Sequence, residues 1–109
     1  MSVPSPSDLR HRLVLEEVQR EASEGGGFAE TWVPLAELFA HIQPISGGES
    51  VEADRIAGRI THEVTLRYRD GVMPAMRFRK GARLFHIVSV IDVEERKRWL
   101  RCLCEEREL

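Results

Sequence analysis

The chain of 109 residues has no apolar run near the roughly 20 residues that a membrane-crossing helix needs, so no membrane partner is expected. Aromatic residues are scarce, at 6% of the chain, which leaves few large anchors for a core. An excess of charge of one sign is missing as well. Sixteen Lys and Arg face 18 Asp and Glu, for a formal net charge of -2, whereas a dedicated nucleic-acid binder usually draws its affinity from a net basic face. Any electrostatic role must therefore be local.

Cysteine is limited to Cys102 and Cys104, spaced so that both would point to one side of a strand. Structural zinc would want CxxC-like pairs with further ligands nearby, and the four histidines are scattered singly. Two reduced cysteines acting as small apolar fillers are expected, with no metal and no cofactor. The opening "MSVPSPSDLRHR" lacks the apolar core of a secretion signal, and the expectation is a protein folded in a cytoplasm.

What is present is an ordinary globular composition, 42% hydrophobic and 31% charged, in a length that suits one domain with a single modest core. "SVPSPS" reads as a flexible arm, and "LRHRLVLEEVQR" places Leu9, His11, Leu13 and Leu15 at alternate positions, as in a half-buried strand. Gly25, Gly26 and Gly27 read as the tip of a long hairpin loop. They sit in no GxGxxG or Lys-containing phosphate motif.

"PLAELFAHIQPI" supports two readings. Leu35, Leu38, Phe39 and Ile42 have the i, i+3, i+4, i+7 spacing of a helical face, while Pro34 and Pro44 bracket the segment closely and Trp32, Phe39 and Ile42 also suit a strand. In "PISGGESVEADRIAGR", Ser46 and Glu49 form a capping-box pattern and Gly58 is a natural stop, which predicts a short helix over 49–57. Its thin apolar content places it on an excursion from the core, as a contact element.

Residues 60–69 alternate so that Ile60, His62, Val64, Leu66 and Tyr68 share one side and Thr61, Glu63, Thr65, Arg67 and Arg69 the other. Asp70-Gly71 and Lys80-Gly81 are turn signals between alternating segments and predict successive hairpins. "EERKRWLRCLCEEREL" is helical by propensity and strand-like by the alternation of Leu100, Cys102 and Cys104; a strand to about Glu105 is favoured. Together these pieces predict a small antiparallel sheet closed into a barrel or a sandwich, with the helix as an insertion on that scaffold.

No nucleophile, base and orienting group are marked out as a set, so no catalytic residue is assigned and no enzyme is expected. His62 and His86 read as half-buried histidines beside apolar neighbours, and the Glu runs as solvated faces. Arg67 and Arg69, then Arg77 and Arg79, alternate on strands that a turn would bring together. Either they line a solvated face screened by acids such as Glu63, or they form a protein–protein seam or a stripe near nucleic acid.

The order of the pieces carries more. The Trp32 segment running into Pro44-Ile45-Ser46-Gly47, the block "THEVTLRYRDGVMPAMRF" and the closing "LFHIVSVIDVEERKRWLRCLCEE" resemble the head-tail joining proteins of tailed phages, also called head-completion or stopper proteins, over roughly residues 8–106. The resemblance implies a β-barrel subunit that assembles into a ring of six or twelve copies below the portal and adaptor, retains the packaged DNA without sequence-specific binding and offers the tail a docking platform. It also covers gene transfer agents, phage-derived particles encoded in bacterial chromosomes. It implies a small antiparallel β-barrel with a short helix in a long loop between the second and third strands, strands for Leu38 to Gln43 and Trp99 to Glu105, and a channel or partner contact for the loop Ser46, Gly47, Gly48, Glu49, Ser50, Val51, Glu52, Ala53, Asp54 and Arg55. Subunit contacts are expected at Arg67, Arg69, Arg77 and Arg79. The expected organisation is an arm over 1–8, a barrel over 9–106 with the insertion 46–59, and a tail over 107–109. A small β-barrel nucleic-acid-binding module is the alternative.

Overall fold

The computed structural model describes residues 5–22, 24–45 and 60–107. Six strands follow a 3-10 turn at Pro6–Asp8: β1 (His11–Ala22), β2 (Phe28–Pro44), β3 (His62–Arg67), β4 (Arg77–Lys80), β5 (Arg83–Asp92) and β6 (Trp99–Arg107). All pairs are antiparallel, and the sheet runs β1-β2-β3-β6-β5-β4 before β4 returns to β1, closing the barrel. The mainly-β expectation holds. The helix expected over 49–57 and the contact loop 46–55 lie outside the described residues.

Alternation builds the interior. Leu13 and Leu15 on β1, Val64 and Leu66 on β3, and Phe78 and Phe85 on β4 and β5 are all at most 1% exposed and share one core. Cys102 and Cys104 are two steps apart on β6 and join it as free thiols. The hydrophobic effect thus draws in one face of every strand, and closure pairs β1 and β2 on both sides over part of their length, at 14–16 and 40–44.

The helix-like spacing of Leu35, Leu38, Phe39 and Ile42 belongs to a strand. In the β1–β2 register Leu15 faces Ala36 and Glu16 faces Pro34, so Leu35 is an extra residue in β2 and forms a bulge. Leu38 and Ile42 pack on the core, while Leu35 and Phe39 are 44% and 52% exposed. The pattern comes from a strand that is apolar on both faces.

One expected hairpin is absent. β3 pairs with β2 and β6, and β4 with β1 and β5, so Asp70-Gly71 does not join neighbouring strands. Instead residues 68–76 cross between opposite walls and close one end of the barrel, with Val72 and Met76 in the core cluster. Gly71 turns there at φ +89, a left-handed conformation that a Cβ disfavours. The Ile87 N–H donates to the Met76 carbonyl and the Ala75 N–H to the Ile87 carbonyl, which fixes the crossing against β5. The second expected hairpin does form, with β4 pairing β5 across Gly81.

At the opposite end, the two ends of the 46–59 connection are clamped together. The Ile45 N–H donates to the Thr61 carbonyl and the Thr61 N–H to the Cys104 carbonyl. Ile60 and Leu103, with Ile45 and Val88 against them, form a small second cluster there.

If the 68–76 crossing is the end-plug of the core, Met76→Ala should lower stability to denaturant by about 2–5 kcal/mol, while Met73→Ala, at a position 54% exposed, should stay within about 0.5 kcal/mol. Equal effects of the two would refute the plug.

Candidate functional site

The barrel closes along a short seam. β1 and β4 share the register Val14↔Arg79, Leu15↔Phe78 and Glu16↔Arg77. Leu15 and Phe78 point inward, so their neighbours point out, and Arg77 and Arg79 flank Glu16 on the outer wall. Arg77 Nε donates to Glu16 Oε1 at 2.7 Å and Arg79 Nε to Oε2 at 2.9 Å. The Glu16 side chain keeps 6% exposure and that of Arg77 12%. Burial alone would push the Glu16 carboxyl up; the hydrogen bonds from Arg79 and Arg77 outweigh it and hold the group below its ordinary value of 4.5. One carboxylate thus ties both arginines across the seam.

A second layer rests on this staple. Beyond Glu16 the paired β1 and β2 run on to Ala22↔Phe28 as a two-stranded hairpin, on the order of 20 Å at about 3.4 Å per residue. Its base is held by Trp32, whose ring carries the Arg77 guanidinium at 4.0 Å and meets the His86 ring edge-on at 5.6 Å. The Arg20 Nε donates to Glu30 at 2.8 Å across the hairpin. Between this base and β5 lies a groove of about 450 Å³, lined by Val18, Trp32, Pro74, His86, Val88 and Arg107 among others. Gly25 and Gly26, at φ +95 and +90, turn the tip as expected for a hairpin loop.

At the clamped end, Thr61 Oγ1 accepts from the Glu106 N–H at 2.8 Å and lies 2.8 Å from His62 Nδ1. Arg83 grips Glu106 through two hydrogen bonds of 2.7 and 3.0 Å, and these hold the Glu106 carboxyl low. Lys80 Nζ sits 2.7 Å from His11 Nδ1. Burial depresses the imidazoles of His11, His62 and His86 alike. Burial also raises the Cys102 thiol to about 12 and the Cys104 thiol well above its usual range. Among the described residues no group of three His, Cys, Asp or Glu is placed to hold a metal, and no helix is long and apolar enough to cross a membrane.

The structure separates the four arginines that the sequence grouped. Arg77 and Arg79 are committed to Glu16 on β4, whereas Arg67 ends β3 and Arg69 follows it, on the opposite wall of the closed sheet. Arg67 lies 5.8 Å over the Trp99 ring and stays exposed. Glu16, Trp32 and His86 were not singled out as a unit. The legible signal was Arg77 and Arg79 at i and i+2, which on one strand face call for a counter-charge; only the β1–β4 pairing says that Glu16 supplies it.

The likeness to known proteins extends over nearly the whole chain. The family model of the phage head completion protein matches residues 4–107. The chain belongs to this family. A chain from the solved virion of a native gene transfer agent particle is 28% identical, with a TM-score of 0.68 over 93% of this chain and 97% of that one. Protein SF1141 from Shigella flexneri 2a, solved in solution, has a TM-score of 0.73 over 94% of this chain and 96% of its own; at 21% identity it shows the shared fold alone. No curated protein matches the chain. The head-completion chain is therefore a structural protein of phage-type particles, with an outer wall built around a staple and a projecting hairpin.

Two outcomes test the wall. Replacing Glu16 by Ala leaves two arginines facing each other without a counter-charge and should cost about 3 kcal/mol of stability, read by denaturant unfolding. Acid should act in two stages. The histidines titrate lower when folded, so their contribution is complete above the unfolded value of 6.5 and declines as pH falls below it. The Glu16 and Glu106 contributions are complete above 4.5 and are lost as pH falls further. Thermal midpoints should therefore step down below each value, and His86→Gln should shrink only the upper step.

Proposed function

We propose that this head-completion protein is the stopper of a head-tail connector. Copies form a ring below the portal and adaptor, keep the packaged genome from leaving, and present the platform on which the tail docks. The role is structural and not catalytic, with assembly in the host cytoplasm. The observation that carries the reading is the family match across residues 4–107, which takes in both the barrel and the segments that project from it. The likeness to a chain of a gene transfer agent virion supports it.

Physical considerations agree. Closure pairs β1 with β4 at 14–16 and β2 with β3 at 40–44, which leaves free backbone edges along the β1–β2 hairpin, so contacts between copies run through side-chain surfaces and projecting segments. The hairpin is one such segment. In this reading the connection 46–59 is the other, and its residues 46–55, with a short helix over 49–57, reach the channel or the next protein. The core unit is 9–106, with an arm before it and a short tail after. A net charge of -2 suits a channel that must let DNA slide and not grip it.

Particles assembled without this chain should contain filled heads that lack tails and lose DNA, scored by electron microscopy and by nuclease sensitivity of the packaged genome. Tailed, nuclease-resistant particles at the normal yield would refute the proposal. Tight, salt-sensitive DNA binding by the isolated chain would favour a nucleic-acid-binding barrel instead.

A further inference from the structure

The small net charge conceals a sided distribution. Where β3 ends and β6 begins, Arg67 faces Trp99 and Arg101 faces Thr65, while the Tyr68 N–H donates to the Arg98 carbonyl. Arg67, Arg69, Lys97, Arg98 and Arg101 therefore gather at one corner, and none has a carboxylate partner among the described residues. The acids nearby are mostly occupied: Glu94 with Arg96, Asp92 with the Lys97 N–H, and Asp70 with the Tyr68 hydroxyl. Glu94, Glu95 and Lys97 take left-handed φ of +57, +55 and +55, so the turn that displays this corner is held in a conformation unfavourable to residues with a Cβ. Beside it, Ile91, opposite Arg101 on β5, is 37% exposed.

The hairpin tip has the converse character. Glu21 and Glu24 are exposed without a basic partner among the described residues, because Arg20 is engaged by Glu30. Phe28, which closes the hairpin opposite Ala22, is 75% exposed. The hairpin base is fastened by Trp32 to Arg77 and His86 on β4 and β5, and β3 stands opposite β4 in the closed order. The acidic tip and the basic corner thus belong to different walls of one molecule. Complementary patches on different walls produce head-to-tail contacts, the kind that generates rings.

We infer that the hairpin tip of one copy, through Glu21, Glu24 and Phe28, docks on the Arg67–Arg98 corner of the next copy. This deepens the ring reading above and rests on it. A second copy fits better than a polyanion such as DNA, because DNA would satisfy the arginines and leave the acidic tip and Phe28 without a partner. The contact places Phe28 against Ile91 and Trp99 while carboxylates meet guanidinium groups, so apolar burial supplies the adhesion and charge fixes the register.

The test uses the full chain with cysteines at Gly27→Cys and Ile91→Cys, which leave every charge in place; the native thiols are buried and protonated and stay silent. Mild oxidation of the concentrated protein, and of particles, should give a ladder running past the dimer. A dimer alone, or monomer only, overturns the inference. Glu21→Lys with Glu24→Lys should reduce tailed particles at least tenfold, and adding Arg67→Glu with Arg98→Glu should restore them. A combination no better than either pair, or arginine reversals that release DNA while the hairpin reversals are silent, also overturns it. The ladder reads the contact whether or not tails join, so its loss while particles without the chain remain tailless counts against the contact and leaves the stopper reading standing.

Discussion

The structure depends on the closure of β4 onto β1. That seam holds only the three register pairs from Val14↔Arg79 to Glu16↔Arg77, far fewer than join β1 to β2 or β5 to β6. Backbone pairing this short is a weak place in a sheet, and Glu16 reinforces it by accepting from two arginines of the partner strand. Because Arg77 also carries Trp32, the same residue couples closure to the position of the hairpin. A disturbance of the seam would therefore also reach the projecting hairpin.

The strands were legible because their periodicity is a local property. Alternation marked β1, β3, β5 and β6, and the three glycines marked the hairpin tip. β2 stayed open in the residues alone because the Leu35 bulge and an apolar outer face give it a helical spacing; the resemblance to head-joining proteins decided it. Asp70-Gly71 misled for a different reason. The same turn chemistry serves a hairpin or a crossing, and which one forms is decided by Val72 and Met76 finding a place in the core.

The site was legible only in part. Alternate arginines on β3 and β4 were visible, but their division into two structural fasteners and part of a free corner depends on strand order, a non-local fact. Glu16 belongs to one of the Glu runs that the sequence suggests are solvated, yet it is buried, and its significance appears only when β4 lies beside it. Fold and family agree here over nearly the full length of the chain. A head-completion protein is defined by the surfaces it offers, and those are set by topology more than by any short motif.

The interior thiols have one more consequence. With Cys102 raised to about 12 and Cys104 well above its usual range, both thiols stay protonated near neutral pH behind the same wall. Both cysteines of the chain lie inside the barrel, so the contacts made from its outer surface involve no thiol of its own whose state could follow the redox surroundings.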